Sequence, residues 1–229
     1  MAKVVYSPQV GDMRNKTGGA VHTKTRFGSM VRRKVSPTQP RSSAQMNVRA
    51  GFTSLSKLWS ESSMDSNRAG WIGLADSYPV KDVFGQSQKL TGHQMFVRCN
   101  RALQTLGITS PILAPPSTLS VPYPGALTLA HDGPPVTSLS LNVATPPTAA
   151  EDGVIFATPG ISPGRAGAGA RFRVIGTFTS ATPLPYNFRD SYAWYLGAPI
   201  TGRKIFIRVV YTKKATGAQS LPSEASITI

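Results

Sequence analysis

The feature that most limits how this chain can fold is where its charge sits. Ten Lys and Arg residues fall within the first fifty positions: Lys3, Arg14, Lys16, Lys24, Arg26, Arg32, Arg33, Lys34, Arg41 and Arg49. Only Asp12 opposes them there, so nine of the fifteen net positive charges lie in under a quarter of the 229 residues. The same stretch is rich in Gly, Ser, Thr, Pro and Gln. A cationic, hydrophobe-poor arm buries too little apolar surface to offset its ordering entropy alone. It needs a partner, and the partner should be acidic: nucleic acid, a membrane surface or a negatively charged protein assembly.

Composition narrows the classes further. Hydrophobic residues make up 40%, ordinary for a soluble protein, but charged residues only 15%, with ten acids in all. So few carboxylates weigh against most hydrolases and metal enzymes. One cysteine, Cys99, cannot form an internal disulfide, so nothing marks an oxidising compartment. No apolar run approaches the roughly 20 residues that span a bilayer. No apolar segment follows Lys3 as in a signal peptide, so synthesis in a cytoplasm, with no membrane partner, is expected.

Four zones follow from pattern. Residues 1–45 are the basic arm. Lys3-Val4-Val5-Tyr6 suits a short strand, and Gly18-Gly19 marks a turn between strand-like stretches. Ala20 to Val35 alternates weakly through Val21, Phe27, Met30 and Val31, so a loose hairpin is expected. Pro37 and Pro40 then hold Ser36 to Pro40 extended. Residues 46–108 read as a small three-helix domain. Val48, Phe52, Leu55 and Trp59 share one helix face, with Ser42 or Ser43 as cap. A second helix fits Asp65 to Ser77, capped by Ser63 and stopped by Pro79, with Trp71, Leu74 and Tyr78 on one side. After a turn at Phe84-Gly85, Thr91 and Gln94 form a capping box. The third helix presents Phe96, Cys99, Leu103 and Leu106 before Gly107. Residues 109–116 are a Pro-rich linker.

Residues 117–229 carry short alternating runs without a helical signal, so a β-sandwich is expected. The runs are Leu139-Leu141-Val143, Gly153 to Phe156, Phe172-Val174-Phe178, Ile205-Ile207-Val209-Tyr211 and Ser226 to Ile229. The fold class is therefore a multi-domain α+β chain: arm, helices and sandwich.

Two resemblances add to this. Ile205-x-Ile207-x-Val209-x-Tyr211, then Gly217, Ser220, Pro222-Ser223 and a final strand, resembles the end of a fibronectin type III or immunoglobulin-like domain. That implies a fold and no particular function. The N-terminal half resembles a family of uncharacterised phage and prophage proteins. The matching residues are Gly11-Asp12, Lys16-Thr17-Gly18-Gly19, Arg32-Arg33-Lys34-Val35, Pro37 through Gln45, Arg49, Trp59, Arg68, Trp71 and Thr91-Gly92-His93-Gln94-x-Phe96-x-Arg98. The family has no known chemistry to carry over, and its setting implies a virion structural role. Pro40, Phe52, Trp59, Arg68 and Trp71 also give the helices a faint likeness to an HMG box, with spacing too loose to transfer DNA contacts.

No catalytic constellation emerges. His22, His93 and His131 lack a metal-ligand spacing. Cys99 reads as a small buried hydrophobe. Gly164-Arg-Ala-Gly167-Ala-Gly169 lacks the Gly-Lys-Ser/Thr ending of a phosphate loop, and Glu151-Asp152 reads as a turn. No enzyme activity, cofactor or metal is therefore expected. The candidate partner-binding residues are Lys16, Lys24, Arg26, Arg32, Arg33, Lys34, Arg41 and Arg49. Trp59 and Trp71 read as core. Tyr192, Trp194 and Tyr195 form a candidate exposed interaction patch, with a sandwich-core Trp as the alternative for Trp194.

The reading that follows is a non-enzymatic phage virion protein: a minor capsid, cement or decoration protein, made in the host cytoplasm. Its expected partners are a major capsid or other virion protein with an acidic surface, and copies of itself. A protein bound to the phage genome is the alternative, resting on the pI near 10.5. A tail or adhesion component, resting on the aromatic cluster, is a third.

Overall fold

The computed structural model describes residues 2–6, 10, 13–25, 28–36, 39, 41–81, 85–169 and 171–229. Candidate residue Arg26, the alternating Phe27, the prolines at 37 and 40, Gly11-Asp12 and Phe84 of the expected turn lie outside them. The fold is mixed α and β, with four helices and four sheets whose strand pairings are all antiparallel among the described residues.

The basic arm builds a sheet of its own. Strands β1 (Ala2–Lys3), β2 (Asn15–Thr17), β3 (Ala20–Thr25) and β4 (Gly28–Arg33) run in the order β1-β4-β3-β2. The β2–β3 hairpin turns at Gly18-Gly19, with Gly18 at φ +56°, a conformation glycine reaches without penalty. No described side chain of this sheet is fully buried. It has backbone order without a core, which is what its composition allows.

Three helices share the next cluster. Helix α1 (Ser43–Ser60) starts at Ser42, whose hydroxyl accepts from the Gln45 N–H. A single 3-10 turn (Ser62–Met64) leads into α2 (Asp65–Ser77). This corrects the expected Ser63 cap, because the tight turn puts Met64 at the cap without a side-chain bond. After the two short strands β5 (Val80–Lys81) and β6 (Ser87–Gln88), α3 (Gly92–Thr105) opens on the expected capping box. The Thr91 N–H donates to Gln94 Oε1 at 2.9 Å, and the Gln94 N–H to Thr91 Oγ1 at 3.1 Å. Leu55, Met64, Trp71, Leu74, Met95, Phe96 and Cys99 are buried together. Val48 and Phe52, expected on the same buried face, are instead exposed at 46% and 48%. The apolar stripe of α1 continues beyond what α2 and α3 cover.

The Pro-rich segment 109–116 does not run free. Buried Asn100 accepts from the Ile112 N–H at 2.7 Å and donates to the Ile112 carbonyl at 3.2 Å. The Trp71 indole N–H donates to the Leu113 carbonyl at 2.8 Å. The Tyr78 hydroxyl accepts from Leu119 N–H at 3.1 Å, and Leu119 packs on the helical cluster.

Two further sheets follow. Strands β7 (Leu127–His131), β8 (Leu139–Val143) and β11 (Tyr186–Asn187) pair in the order β11-β8-β7. Strands β9 (Glu151–Ala157), β10 (Arg173–Phe178), β12 (Lys204–Lys213) and β13 (Ser223–Thr228) pair in the order β10-β9-β12-β13. Both sheets feed one hydrophobic cluster, including Leu139, Leu141, Ile155, Phe178, Ile207, Val209 and Tyr211. The expected alternation through Phe172, Val174 and Phe178 is corrected. A register shift between Val174 and Gly176 turns Ile175 inward and leaves Val174 exposed. Glu151 and Asp152 open β9 rather than forming the turn, which closes just before them with the Glu151 N–H on the Thr148 carbonyl. The absence of helical signal also fails. Helix α4 (Arg189–Leu196) interrupts the strands, and its eight residues are too few for helical periodicity to stand out.

Candidate docking surfaces

Strand period sorts the arm's cations onto two faces. In the row Lys16–Val21–Arg32 all three side chains share one face, and the next row, Thr23–Met30–Lys3, adds Lys3. Lys24 and Arg33 lie on the opposite face, with Asn15, His22 and Val31. Arg32-Arg33-Lys34 is therefore a contiguous cluster in sequence that the pleat splits in space. Lys16, Lys24, Arg32, Arg33 and Lys34 are all exposed. Among the described residues no ion pair to Lys16, Arg32, Arg33 or Lys34 is seen. Arg41 is exposed immediately before the cap of α1, in left-handed backbone at φ +51°, and Arg49 is exposed on the first half of that helix. The described candidate cations thus lie on or beside the sheet and at the start of α1.

Local contacts fix the sheet's half-covered positions. The Tyr6 hydroxyl and His22 Nδ1 lie 2.9 Å apart. Lys3 Nζ donates to Gln86 Oε1 at 3.1 Å, tying the sheet's edge strand to the β5–β6 hairpin region.

The aromatic patch is divided by the helix that carries it. Tyr192 is 2% exposed, part of the large cluster, and its hydroxyl donates to the Thr158 carbonyl at 3.1 Å. It is corrected out of any surface patch: the helical turn sends position 192 inward while the next two aromatics face out. Burial pushes its phenol up to about 12. Trp194, at 84% exposed, and Tyr195, at 55%, remain outside, so the core reading of Trp194 also falls.

The other chemistry-bearing residues sit as structural groups. His131 Nδ1 accepts from the Gly133 N–H at 3.0 Å. His93 packs on Trp59, with ring centres 5.6 Å apart. Burial pushes the Cys99 thiol up to about 11, against the pull of the Arg98 charge, which leaves it protonated at neutral pH. Buried Glu151 accepts from the Thr148 N–H at 3.0 Å and from the Thr148 hydroxyl. In the glycine loop, Gly164 and Gly167 stand in open space, while Ala168 anchors against Ile161 and Phe206. Among the described residues no three His, Cys, Asp or Glu side chains converge to hold a metal ion, and no helix is long and apolar enough to cross a membrane.

Arg98 and Arg101 are not among the candidate partner-binding residues, Arg98 being named only for the family resemblance. The Arg101 guanidinium lies 5.3 Å from the centre of the Phe52 ring, and Gly51 leaves the space that brings it there. The available signal was compositional: α1 and α3 contain no Asp or Glu. Comparison with known proteins found no matching family model, curated protein or solved structure.

Proposed function

We propose that this chain is a non-enzymatic phage virion protein, a minor capsid, cement or decoration component that docks through its basic arm and helices. One observation carries the reading. The N-terminal sheet is acid-poor and, among the described residues, without a buried side chain of its own, so its stability and its charge both call for a neighbour. The resemblance of residues 11–98 to phage and prophage proteins supplies the setting. The C-terminal part is read as a separate immunoglobulin or fibronectin type III-like sandwich. The four-stranded order β10-β9-β12-β13, opposed to the three-stranded β11-β8-β7, supports that reading. Such a module projects or bridges, and repeated copies on a lattice add avidity.

Particles from a strain lacking the gene, compared with wild-type particles by negative-stain microscopy and protein gel, test the proposal. The protein should be present in wild-type particles, and its loss should lower their yield or stability. Wild-type particles free of the protein, with mutant particles equally intact, would end it.

The second reading, binding of the phage genome, is favoured by cations on both faces of the sheet and a net charge of +15. Filter binding against salt decides it. A phosphate binder using several arm residues loses roughly 10³-fold in affinity between about 50 and 200 mM salt, whereas no retention of DNA at low salt removes the reading.

A further inference from the structure

We propose that the cleft between α1 and α3 is a docking groove for an acidic amphipathic segment of a partner protein. The inference rests on the reading of this chain as a docking component and names the chemistry of what it docks. The cleft has a volume of about 350 Å³ and is lined by Phe52 of α1 and by His93, Val97, Arg98 and Arg101 of α3. Its walls are mostly apolar. The α1 stripe Val48-Phe52-Leu55-Trp59 supplies the reason: its lower half enters the helical core, and its upper half lies open. Apart from Arg101 over the Phe52 ring, that upper half is left about half exposed, and Met46 is exposed as well.

Charge selects the occupant. Arg98 and Arg101 of α3 line the groove, α1 adds the cations Arg49 and Lys57, and neither helix carries a single carboxylate. A second copy would bring the same acid-free helices, placing like charges against one another. A segment with Asp and Glu beside its apolar stripe meets each guanidinium with a carboxylate and fills the groove with residues at i, i+3, i+4 and i+7. His93 lines the groove with its ring packed against Trp59. Nucleic acid fits less well. The Phe52 ring is already covered on a face by Arg101, so it offers no free stacking platform, and the apolar wall between the guanidiniums has no counterpart on a phosphate backbone.

Fluorescence anisotropy of the full-length protein tests this. The probe is a labelled peptide of about 18 residues, five helical turns, with Leu at i, i+3, i+4 and i+7 and Glu between. Comparators are the same residues in scrambled order, the Lys-for-Glu version, and a single-stranded oligonucleotide of equal length. The patterned acidic peptide should bind at least about tenfold more tightly than either altered peptide. Phe52→Ser and Arg98→Glu, both at exposed positions, should each weaken it by about tenfold or more with the circular dichroism spectrum unchanged. Equal binding of the scrambled peptide, displacement by the oligonucleotide, or indifference to both substitutions overturns the inference. The two readings fail separately. Particles that contain the protein but tolerate both substitutions sink the groove alone, and a groove that binds in a protein absent from particles sinks the virion role alone.

Discussion

At the scale of single residues, Gly217 shows how narrowly one position can be specified. Its φ is +65°, and a methyl group there would overlap the backbone carbonyl of Cys99 on α3. Both faults are backbone faults, so no side-chain movement relieves them. Gly217→Ala should cost about 3 kcal/mol in a urea titration, against less than about 0.5 kcal/mol for Gly164→Ala, which stands in open space at ordinary φ. A comparable midpoint for the two variants would refute the close packing of α3 on the β12–β13 loop. Buried protons make a second prediction. Cys99 goes from an ordinary 9.0 to about 11, and Tyr192 and Tyr211 from 10.0 to about 12, all by burial first. Unfolded, these groups release their protons at lower pH than they do folded. The native state therefore holds more protons as pH rises past 9, and stability, flat below that point, should fall steadily up to about pH 12. Urea midpoints measured from pH 7 to 12 check the slope; an unchanged midpoint at pH 11 would contradict the burial. Such residues were legible only in part. Cys99 on an apolar face was readable from spacing, whereas Gly217 looked like any turn glycine because its neighbour lies over a hundred positions away.

At the scale of elements, the readable ones carried their own chemistry. The Thr91–Gln94 box and the Ile205–Tyr211 alternation need no distant partner to be recognised, and both appear where the pattern placed them. Elements defined by tertiary context escaped. Helix α4 is short, and its burial depends on which of three neighbouring aromatics the sheets accept. The β10 bulge inverts the facing of Val174 and Ile175, and a period-2 reading cannot see an inserted residue. The half-covered α1 is the third case, since periodicity reports that a stripe exists and not how far a neighbour extends along it. Hydrogen exchange should register that difference. Amides of 46–54 should exchange well before those of 95–103, which belong to a helix with eight buried residues against the single buried Leu55 of α1. Equal protection would mean that something covers the first half of α1.

At the scale of the whole molecule, charge location was plain from the sequence and charge geometry was not. The sequence read Arg32-Arg33-Lys34 as one patch, but a strand sends its neighbours to opposite faces, so a partner lying on one face of the sheet engages Arg32 or Arg33 and not both. Arg32→Glu and Arg33→Glu should therefore differ clearly in their effect on incorporation into particles, measured as copies per particle; equal losses would mean that the segment acts as an unstructured charge cluster. The prolines at 111, 115 and 116 carry a last consequence. Their segment is held at Ile112, Leu113 and Leu119 by Asn100, Trp71 and Tyr78, and Pro115 sits against Gly70. A protease that nicked the chain there would sever one covalent bond and release nothing, since both new ends stay clamped to the same helices. Pieces cut for separate study should be divided beyond Leu119, the last residue of this segment that the helices hold, at the cost of the contact between Gly217 and Cys99.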